Sequence, residues 1–191
     1  RCVSGRRGGG AVRVCIDPGH GLGNATLGVF DPGAVAGGVR EADINLAVGL
    51  MLRDECARRG WSSVMTRADN ESAAHLRWRV ARARNADADC LVSIHCNAAS
   101  STLANGVETL YLAAQWVAIA VQRRLVAALG FRDRGIKQRS GLAILRYERP
   151  AILVELGFIT HGIERRALCD PKVQRAAAVA IADGLAETIR P

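Results

Sequence analysis

Short apolar runs along this chain alternate with longer stretches in which apolar residues recur every three or four positions. Apolar runs of this length are typical of buried strands, and they predict strands at residues 12–16, 62–66, 90–94, 106–112, 141–146 and 151–155. The longer stretches predict helices at residues 41–59, 71–87, 114–129, 164–169 and 171–189. Strands that alternate with helices are typical of a largely parallel sheet that is covered on both faces.

The length of 191 residues and the lack of an interdomain linker predict one domain. We expect a single α/β domain, built on a mostly parallel, twisted sheet of about six strands with helices on both faces. Residues 1–10 are rich in glycine and arginine and predict a flexible tail, which leaves residues 11–191 as the folded domain. Residues 131–140 carry several basic side chains and predict a loop.

The first predicted helix and the segment before it are the most distinctive part of the pattern. The helix has an apolar row at helical spacing, formed by Ile44, Val48, Leu52 and Cys56. Gly60 follows it as a common stop signal. The preceding residues 17–40 are rich in glycine and predict a long loop, which is uncommon in a compact domain unless it has a function.

Three predicted strands end in residues that bind metals or transfer protons. His20 follows the first strand, His95 follows the third, and Glu155 ends the last. The carboxyl ends of parallel strands share one edge of a sheet, where such folds bind ligands. Zinc in hydrolytic sites takes three ligands from His, Asp and Glu and leaves one position open. A single histidine after a strand is usually structural, so the hypothesis of one metal site depends on the pair of histidines together with Glu41.

The net charge of +8 favours a polyanionic partner, such as nucleic acid, an anionic lipid surface or an acidic cell wall. An arginine-rich solvated surface explains the same charge without any partner. The aromatic content of 4% and the lack of an RNP or zinc-finger pattern argue against specific nucleic-acid binding. No apolar run approaches the ~20 residues of a transmembrane helix, so we expect no membrane-spanning segment.

The cysteines form no CxxC pair, which argues against a cysteine zinc site. Cys15 and Cys90 lie within predicted buried strands and are interpreted as small core residues. A chain that is long enough to build its own core does not need a disulfide framework, although the sequence leaves a single bridge open.

Five short motifs resemble, in order and spacing, those of the zinc N-acetylmuramoyl-L-alanine amidases of the Amidase_3 type. They are IDPGH at 16–20, VREADINL at 39–46, SIHCN at 93–97, GVET at 106–109 and LVELGF at 153–158. Each motif alone is weak evidence, whereas the ordered set is specific. The resemblance extends over nearly the whole chain.

The resemblance implies that His20, Glu41 and His95 bind Zn²⁺ and that Glu155 is the catalytic acid/base. It also implies hydrolysis of the amide bond between the lactyl group of N-acetylmuramic acid and the L-alanine of the stem peptide. Zinc would polarise the scissile carbonyl and lower the pKa of its water toward ~7. Glu155 would take the water proton and return one to the leaving amine.

Two residues depart from the usual motifs of these amidases. Cys96 stands where such proteins often have alanine, and His161 stands where asparagine often follows the last motif. Because side chains alternate along a strand, we expect Cys96 to point away from the metal and into the core. Asn97 either hydrogen-bonds substrate or caps a loop.

Alternative functions use the same residues. A different zinc hydrolase, such as a carboxypeptidase or deacetylase, would need the same metal site, whereas a wall-binding module without catalysis would have no need of Glu155. That glutamate would be structural if it paired with Arg134 or Arg146. We interpret Arg79 and Arg134 as members of structural ion pairs rather than as substrate contacts.

Periplasmic relatives in this family often carry an inhibitory helical insertion between the strand at 106–112 and the next helix. This chain passes almost directly from one to the other, so we expect a constitutively active monomer. The expected substrate is peptidoglycan, which the enzyme would meet in the periplasm or outside the cell after synthesis in the cytoplasm. A phage or prophage endolysin released at lysis, or a constitutively active autolysin of the cell wall, fits this description.

Overall fold

The computed structural model describes residues 11–190. Its strands are β1 (Arg13–Pro18), β2 (Gly21–Leu22), β3 (Phe30–Asp31), β4 (Val35–Ala36), β5 (Val39–Arg40), β6 (Ser62–Met65), β7 (Cys90–Asn97), β8 (Val107–Tyr111), β9 (Asp133–Gln138) and β10 (Ala151–Phe158). Its helices are α1 (Glu41–Arg58), α2 (Leu76–Asn85), α3 (Gln115–Leu129), α4 (Gly162–Leu168) and α5 (Pro171–Thr188), with a 3₁₀ helix at Ala143–Arg146. The flexible tail predicted at 1–10 lies outside the described residues and stays a prediction.

Six strands form the central sheet, in the order β6-β1-β7-β10-β8-β9. The first four run parallel to one another, β8 is antiparallel to β10, and β9 is parallel to β8. This arrangement confirms the predicted α/β domain with a mostly parallel sheet of six strands. No helix within 11–190 is both long and apolar enough to cross a membrane.

Helices cover the two faces of the sheet unequally. Helices α1, α3 and α5 pack on one face, where the larger core joins Ile16 and Val92 of the sheet to Leu52 of α1 and Ile181 of α5. Helix α2 and the 3₁₀ helix cover the other face over a smaller core that includes Leu91. Both faces are therefore buried, as the continuous apolar strands require.

The apolar row of α1 points into the larger core as predicted. Its four members are buried: Ile44, Val48, Leu52 and Cys56. The helix begins at Glu41 and is followed by Gly60, whose φ of 71° only glycine adopts readily. This burial fixes the position of Glu41 relative to the ends of β1 and β7, since α1 packs on both strands.

Two sequence predictions for the chain between α3 and β10 are wrong. The segment 131–140 is not a loop, because Asp133–Gln138 forms the edge strand β9. Its basic residues obscured the strand, although charged side chains are common on edge strands. The segment 141–146 is not a strand but contains the 3₁₀ helix. Its apolar pattern comes from Leu145, which is buried against Leu110 and Leu153 of the sheet without pairing to a strand.

Two further boundaries differ from prediction. Helix α2 begins at Leu76 rather than at residue 71, because Asp69 accepts backbone hydrogen bonds from Glu71 and Ser72 in a turn. The glycine-rich segment 17–40 is more ordered than a loop. It contains the short antiparallel pairs β2–β3 and β4–β5, and β5 leads directly into α1.

A buried polar network lies at the carboxyl end of β1. Asp17 is only 2% exposed, and its carboxylate accepts hydrogen bonds of 2.6 Å from Thr66 Oγ1, Ser93 Oγ and Arg79 Nη1. Burial alone would raise the pKa of Asp17, but the charge of Arg79 and these hydrogen bonds hold it below its usual value. The network joins β6, β7 and α2 to the strand that precedes His20.

Two buried arginines hold the backbone that follows Asp17. Arg79 donates to the carbonyls of Pro18 and His20 at 2.9 and 2.7 Å. Arg67 donates to the carbonyls of Pro18 and Gly19, both at 2.9 Å. His20 itself has a φ of 63°, a conformation that is uncommon for residues other than glycine. The arginines therefore stabilise the strained turn that presents His20, which confirms the structural interpretation of Arg79.

Asp17→Asn should strongly destabilise the protein, because it leaves the buried Arg79 without its charged partner. Removal of one member of a buried ion pair typically costs about 3–5 kcal/mol. Denaturant unfolding monitored by circular dichroism would measure the loss in free energy of unfolding.

The exposed pair of Arg84 and Glu148, whose atoms are 2.8 Å apart, offers a matched control. Glu148→Gln should cost less than about 1 kcal/mol, because solvent screens an exposed pair. Equal effects of Asp17→Asn and Glu148→Gln would contradict the role given to the buried network.

Candidate metal centre

Three elements bring together the side chains that the sequence predicts as metal ligands. His20 follows β1 in the strained turn, His95 lies near the carboxyl end of β7, and Glu41 is the first residue of α1. Strands β1 and β7 are adjacent, with Pro18 opposite Ile94. The two histidines therefore lie at the same sheet edge, and α1 places Glu41 between them.

The possible ligand atoms converge on one point. Glu41 Oε1 lies 3.1 Å from His20 Nε2 and 2.9 Å from His95 Nδ1. One ligand atom from each residue lies within 4.8 Å of the other two. Atoms bound to zinc in a tetrahedron at their usual bond lengths are about 3.4 Å apart. Two nitrogens and one carboxylate oxygen at these separations fit a zinc ion with small adjustments.

A hydrogen bond to Asp31 orients His20. Its Nδ1 lies 2.9 Å from Asp31 Oδ2, which leaves Nε2 to face Glu41. Asp31 also accepts hydrogen bonds from Asn24 Nδ2 at 2.6 Å and from the backbone N–H of Gly33 at 2.8 Å. Such outer partners fix the orientation of metal-binding histidines. Sequence reasoning missed Asp31, although the segment 31–33 repeats the Asp-Pro-Gly of 17–19.

Glu41 is held by backbone and side-chain donors. Its Oε2 accepts a 2.9 Å hydrogen bond from the N–H of Ala34, and its Oε1 accepts one of 3.1 Å from the N–H of Cys96. Asn45, one turn later in α1, donates to Oε1 at 3.3 Å. Asn45 was also missed, although its i+4 spacing from Glu41 could have indicated the contact.

The electrostatics of the centre favour a bound cation. Burial raises the pKa of Glu41, but the two histidines outweigh it and hold that pKa far below its usual value. Burial lowers the pKa of His20, but Glu41 and Asp31 have the larger effect and raise it above its usual value. Glu41 is therefore charged at neutral pH, as a carboxylate ligand must be.

Two glycines allow the close approach of these side chains. A Cβ atom at Gly19 would lie 2.3 Å from the ring of His95. A Cβ atom at Gly33 would lie 2.6 Å from Glu41 Oε2 and 2.7 Å from the ring of His20. Gly33 also has a φ of 66°. Any larger residue at either position would displace a predicted ligand.

Glu155 lies beside the three residues but outside their cluster. It is directly opposite His95 on the adjacent strand β10, so the two side chains point to the same side of the sheet. Its Oε2 is buried and has no hydrogen-bond partner within the described residues. Burial, together with the negative charges of Glu41 and Glu108, raises the pKa of Glu155 to about 8.

Glu155 would be structural if it paired with Arg134 or Arg146, but both arginines donate to other residues. Arg134 donates to Glu108 Oε2 at 2.7 Å, and Arg146 donates to the carbonyl of Ser140 at 3.1 Å. Arg134 is thus part of an ion pair, as interpreted from the sequence, but with a different glutamate. The unpaired carboxylate of Glu155 remains available for proton transfer.

The neighbouring residues also have defined contacts. Cys96 is 3% exposed and lies in the larger core, which confirms that it points away from the two histidines. Asn97 Nδ2 donates to Glu108 Oε1 at 3.1 Å, while its Oδ1 accepts from the N–H of Ala98. The remaining histidines, His75 and His161, cap the first turns of α2 and α4. They take no part in the centre.

Comparison with known proteins identifies the family of the chain. The family model described as N-acetylmuramoyl-L-alanine amidase, Amidase_3, matches residues 14–187. An uncharacterised protein of Bacillus subtilis, YqiI, is 37% identical over 178 residues, which cover 90% of this chain and 82% of that protein. The N-acetylmuramoyl-L-alanine amidase LytC of the same organism is 34% identical over 90% of this chain, which spans 34% of LytC.

Solved structures agree with the sequence comparison. The catalytic domain of CwlV, an amidase from Paenibacillus polymyxa, superposes with a TM-score of 0.84 at 33% identity and covers 92% of this chain. The amidase of Clostridium difficile 630 gives the same TM-score and identity over 93% of this chain. This chain covers 97% and 96% of those two chains. The chain therefore belongs to the Amidase_3 family of N-acetylmuramoyl-L-alanine amidases, which are peptidoglycan hydrolases.

Proposed function

We propose that this chain hydrolyses the amide bond between N-acetylmuramic acid and the L-alanine of the stem peptide, with Zn²⁺ held by His20, Glu41 and His95. The observation that carries the proposal is the convergence of these three ligand atoms beside the unpaired carboxylate of Glu155. A zinc ion bound there would polarise the scissile carbonyl and lower the pKa of water.

Glu155 has the properties of the acid/base in this reaction. Its Oε2 has no hydrogen-bond partner among the described residues, so it can accept a proton from water. Its raised pKa makes the protonated form a donor near neutral pH, which suits return of the proton to the leaving amine. A bound cation would lower this pKa toward the range of a general base, because opposite charge favours the carboxylate.

The surroundings of the site support activity without an activator. Only residues 112–114 connect β8 to α3, so no helical insertion lies between them. We propose that the enzyme is a monomer that acts on peptidoglycan outside the cytoplasm, as an endolysin or autolysin. Its net charge of +8 would attract it to an anionic wall.

Purified protein should release intact stem peptides from purified peptidoglycan without any added activator. Mass spectrometry of the soluble products would identify the cleaved bond. A chelator should abolish release, and added Zn²⁺ should restore it, because the bound zinc would be the Lewis acid of the reaction. Shortened stem peptides would instead indicate a carboxypeptidase, and loss of acetyl groups would indicate a deacetylase.

Glu155→Gln and Glu41→Gln should separate proton transfer from metal binding. Glu155→Gln keeps the shape of the side chain but cannot act as a base, so the rate should fall by about 10²–10⁴-fold while the zinc content stays near one per chain. Glu41→Gln removes a charged ligand and should weaken zinc retention. Zinc content would be measured by atomic emission beside cleavage of a muropeptide. Loss of zinc from the Glu155 variant alone would reverse the two assignments.

Gly33→Ala should reduce zinc retention, because the added Cβ would collide with Glu41 and His20. Gly28→Ala is a matched control, since Gly28 has a similar φ of 76° but has no atom within 4 Å of an added Cβ. Both variants carry the same type of backbone strain, so only the collision differs. Equal zinc affinity in the two, measured by competition with a chromogenic chelator, would contradict the assigned position of the centre.

A further inference from the structure

A row of side chains extends from the metal centre across the sheet. His95 of β7 lies opposite Glu155 of β10, and Glu155 lies opposite Glu108 of β8. Residues in register on adjacent strands point to the same side, and adjacent strands are about 4.8 Å apart. Glu108 therefore lies about 10 Å from His95, on the side of the site away from His20.

Glu108 holds two cations from the edge strand β9. Its Oε2 accepts hydrogen bonds from Arg134 Nε at 2.7 Å and from Lys137 Nζ, and its Oε1 accepts one from Asn97. One buried carboxylate thus faces two positive charges, which leaves an excess of one positive charge at this end of the row. The side chains of Arg134 and Lys137 are 27% and 30% exposed, whereas that of Glu108 is 8% exposed.

The two cations differ in how firmly their neighbours hold them. Arg134 also donates to the carbonyl of Asn105 at 3.3 Å, and its guanidinium carbon lies 4.9 Å from the centroid of the Phe158 ring. Lys137 has three N–H groups, and its hydrogen bond within the described residues is the one to Glu108. The guanidinium of Arg134 is therefore held by three contacts, whereas the ammonium of Lys137 is held by one and can turn its other two N–H groups toward a ligand.

Of the two parts of the substrate, the glycan and the stem peptide, only the stem peptide is charged. The glycan carries neutral hydroxyl and N-acetyl groups, whereas the stem peptide carries carboxylates. Two residues of extended peptide span about 7 Å, so the side group of the residue after L-alanine reaches about as far from the scissile bond as Glu108 lies from His95. Charge complementarity therefore places the stem peptide, rather than the glycan, over this end of the row.

We propose that the Lys137 ammonium, held by Glu108, binds the carboxylate of the stem-peptide residue that follows L-alanine. The enzyme then prefers stem peptides in which this carboxyl is free over those in which it is amidated. This inference rests on the proposed function, because it names a recognition residue for the same substrate.

The test compares two soluble muropeptides that differ only in whether this carboxyl is free or amidated. The wild type should have a KM about tenfold lower for the free acid, as expected for one charge-assisted hydrogen bond. Lys137→Gln should raise KM for the free acid about tenfold, leave KM for the amide unchanged, and change kcat little on either substrate. Lys137→Arg keeps the charge and should retain most of the preference.

Lys172→Gln is the matched control, because Lys172 is the only other lysine of the sequence and is exposed in the first turn of α5. It should leave both KM values unchanged. Thermal unfolding of each variant would show whether the fold is intact, and Lys137→Arg provides the comparison if Lys137→Gln unfolds.

Three results would overturn the inference. The first is an equal KM of the wild type for the two muropeptides, with cleavage of both. The second is an equal rise of both KM values in Lys137→Gln, which would indicate a general disturbance of the site. The third is a fall in kcat alone, which would show that Lys137 acts through Glu155. If the wild type cleaves neither muropeptide nor peptidoglycan, the proposed function itself fails, and the inference fails with it.

Discussion

The buried ion pair between Asp17 and Arg79 is the interaction on which the rest of the site depends. Arg79 also donates to the carbonyls of Pro18 and His20, and Arg67, which follows β6, donates to the carbonyl of Pro18 as well. A backbone turn with a positive φ at His20 costs free energy by itself. Here the hydrogen bonds from two buried arginines, one of which is neutralised by Asp17, compensate that cost. The fold thus links the stability of the sheet to the orientation of His20.

Three glutamates near the centre differ in protonation because their neighbours differ. The histidines keep Glu41 ionised, and Lys137 and Arg134 keep the pKa of Glu108 below its usual value despite burial. Glu155 lies between them without a partner, and its pKa is raised to about 8. Under the proposed function, the same side chain would serve as a ligand in one position, as an anchor for cations in another, and as a proton carrier in a third. Environments that push the pKa values of neighbouring carboxyls apart are typical of acid/base sites.

The sequence predicted the parts of this fold that a local pattern of residues determines. The buried strands and the apolar row of α1 follow directly from periodicity, and the three predicted ligands follow from residues that end strands or begin a helix. The strand β9 could not be found in this way, because its edge position permits charged residues that are typical of loops. The 3₁₀ helix was missed for the opposite reason, since Leu145 is buried without strand pairing. Asp31 was missed because its contact with His20 depends on how the glycine-rich segment folds back.

The three residues of the proposed centre come from segments that are far apart in the chain. A cation bound by all of them would act as a cross-link, because it would tie the segment 21–40 to α1 and β7 at once. Closing such loops reduces the entropy of the unfolded chain, and a ligand that binds only the folded state stabilises it by mass action. Without the cation, the segment 21–40 would lose this cross-link and would be more open to proteases. The supply of metal would then determine how long the enzyme survives as well as whether it is active.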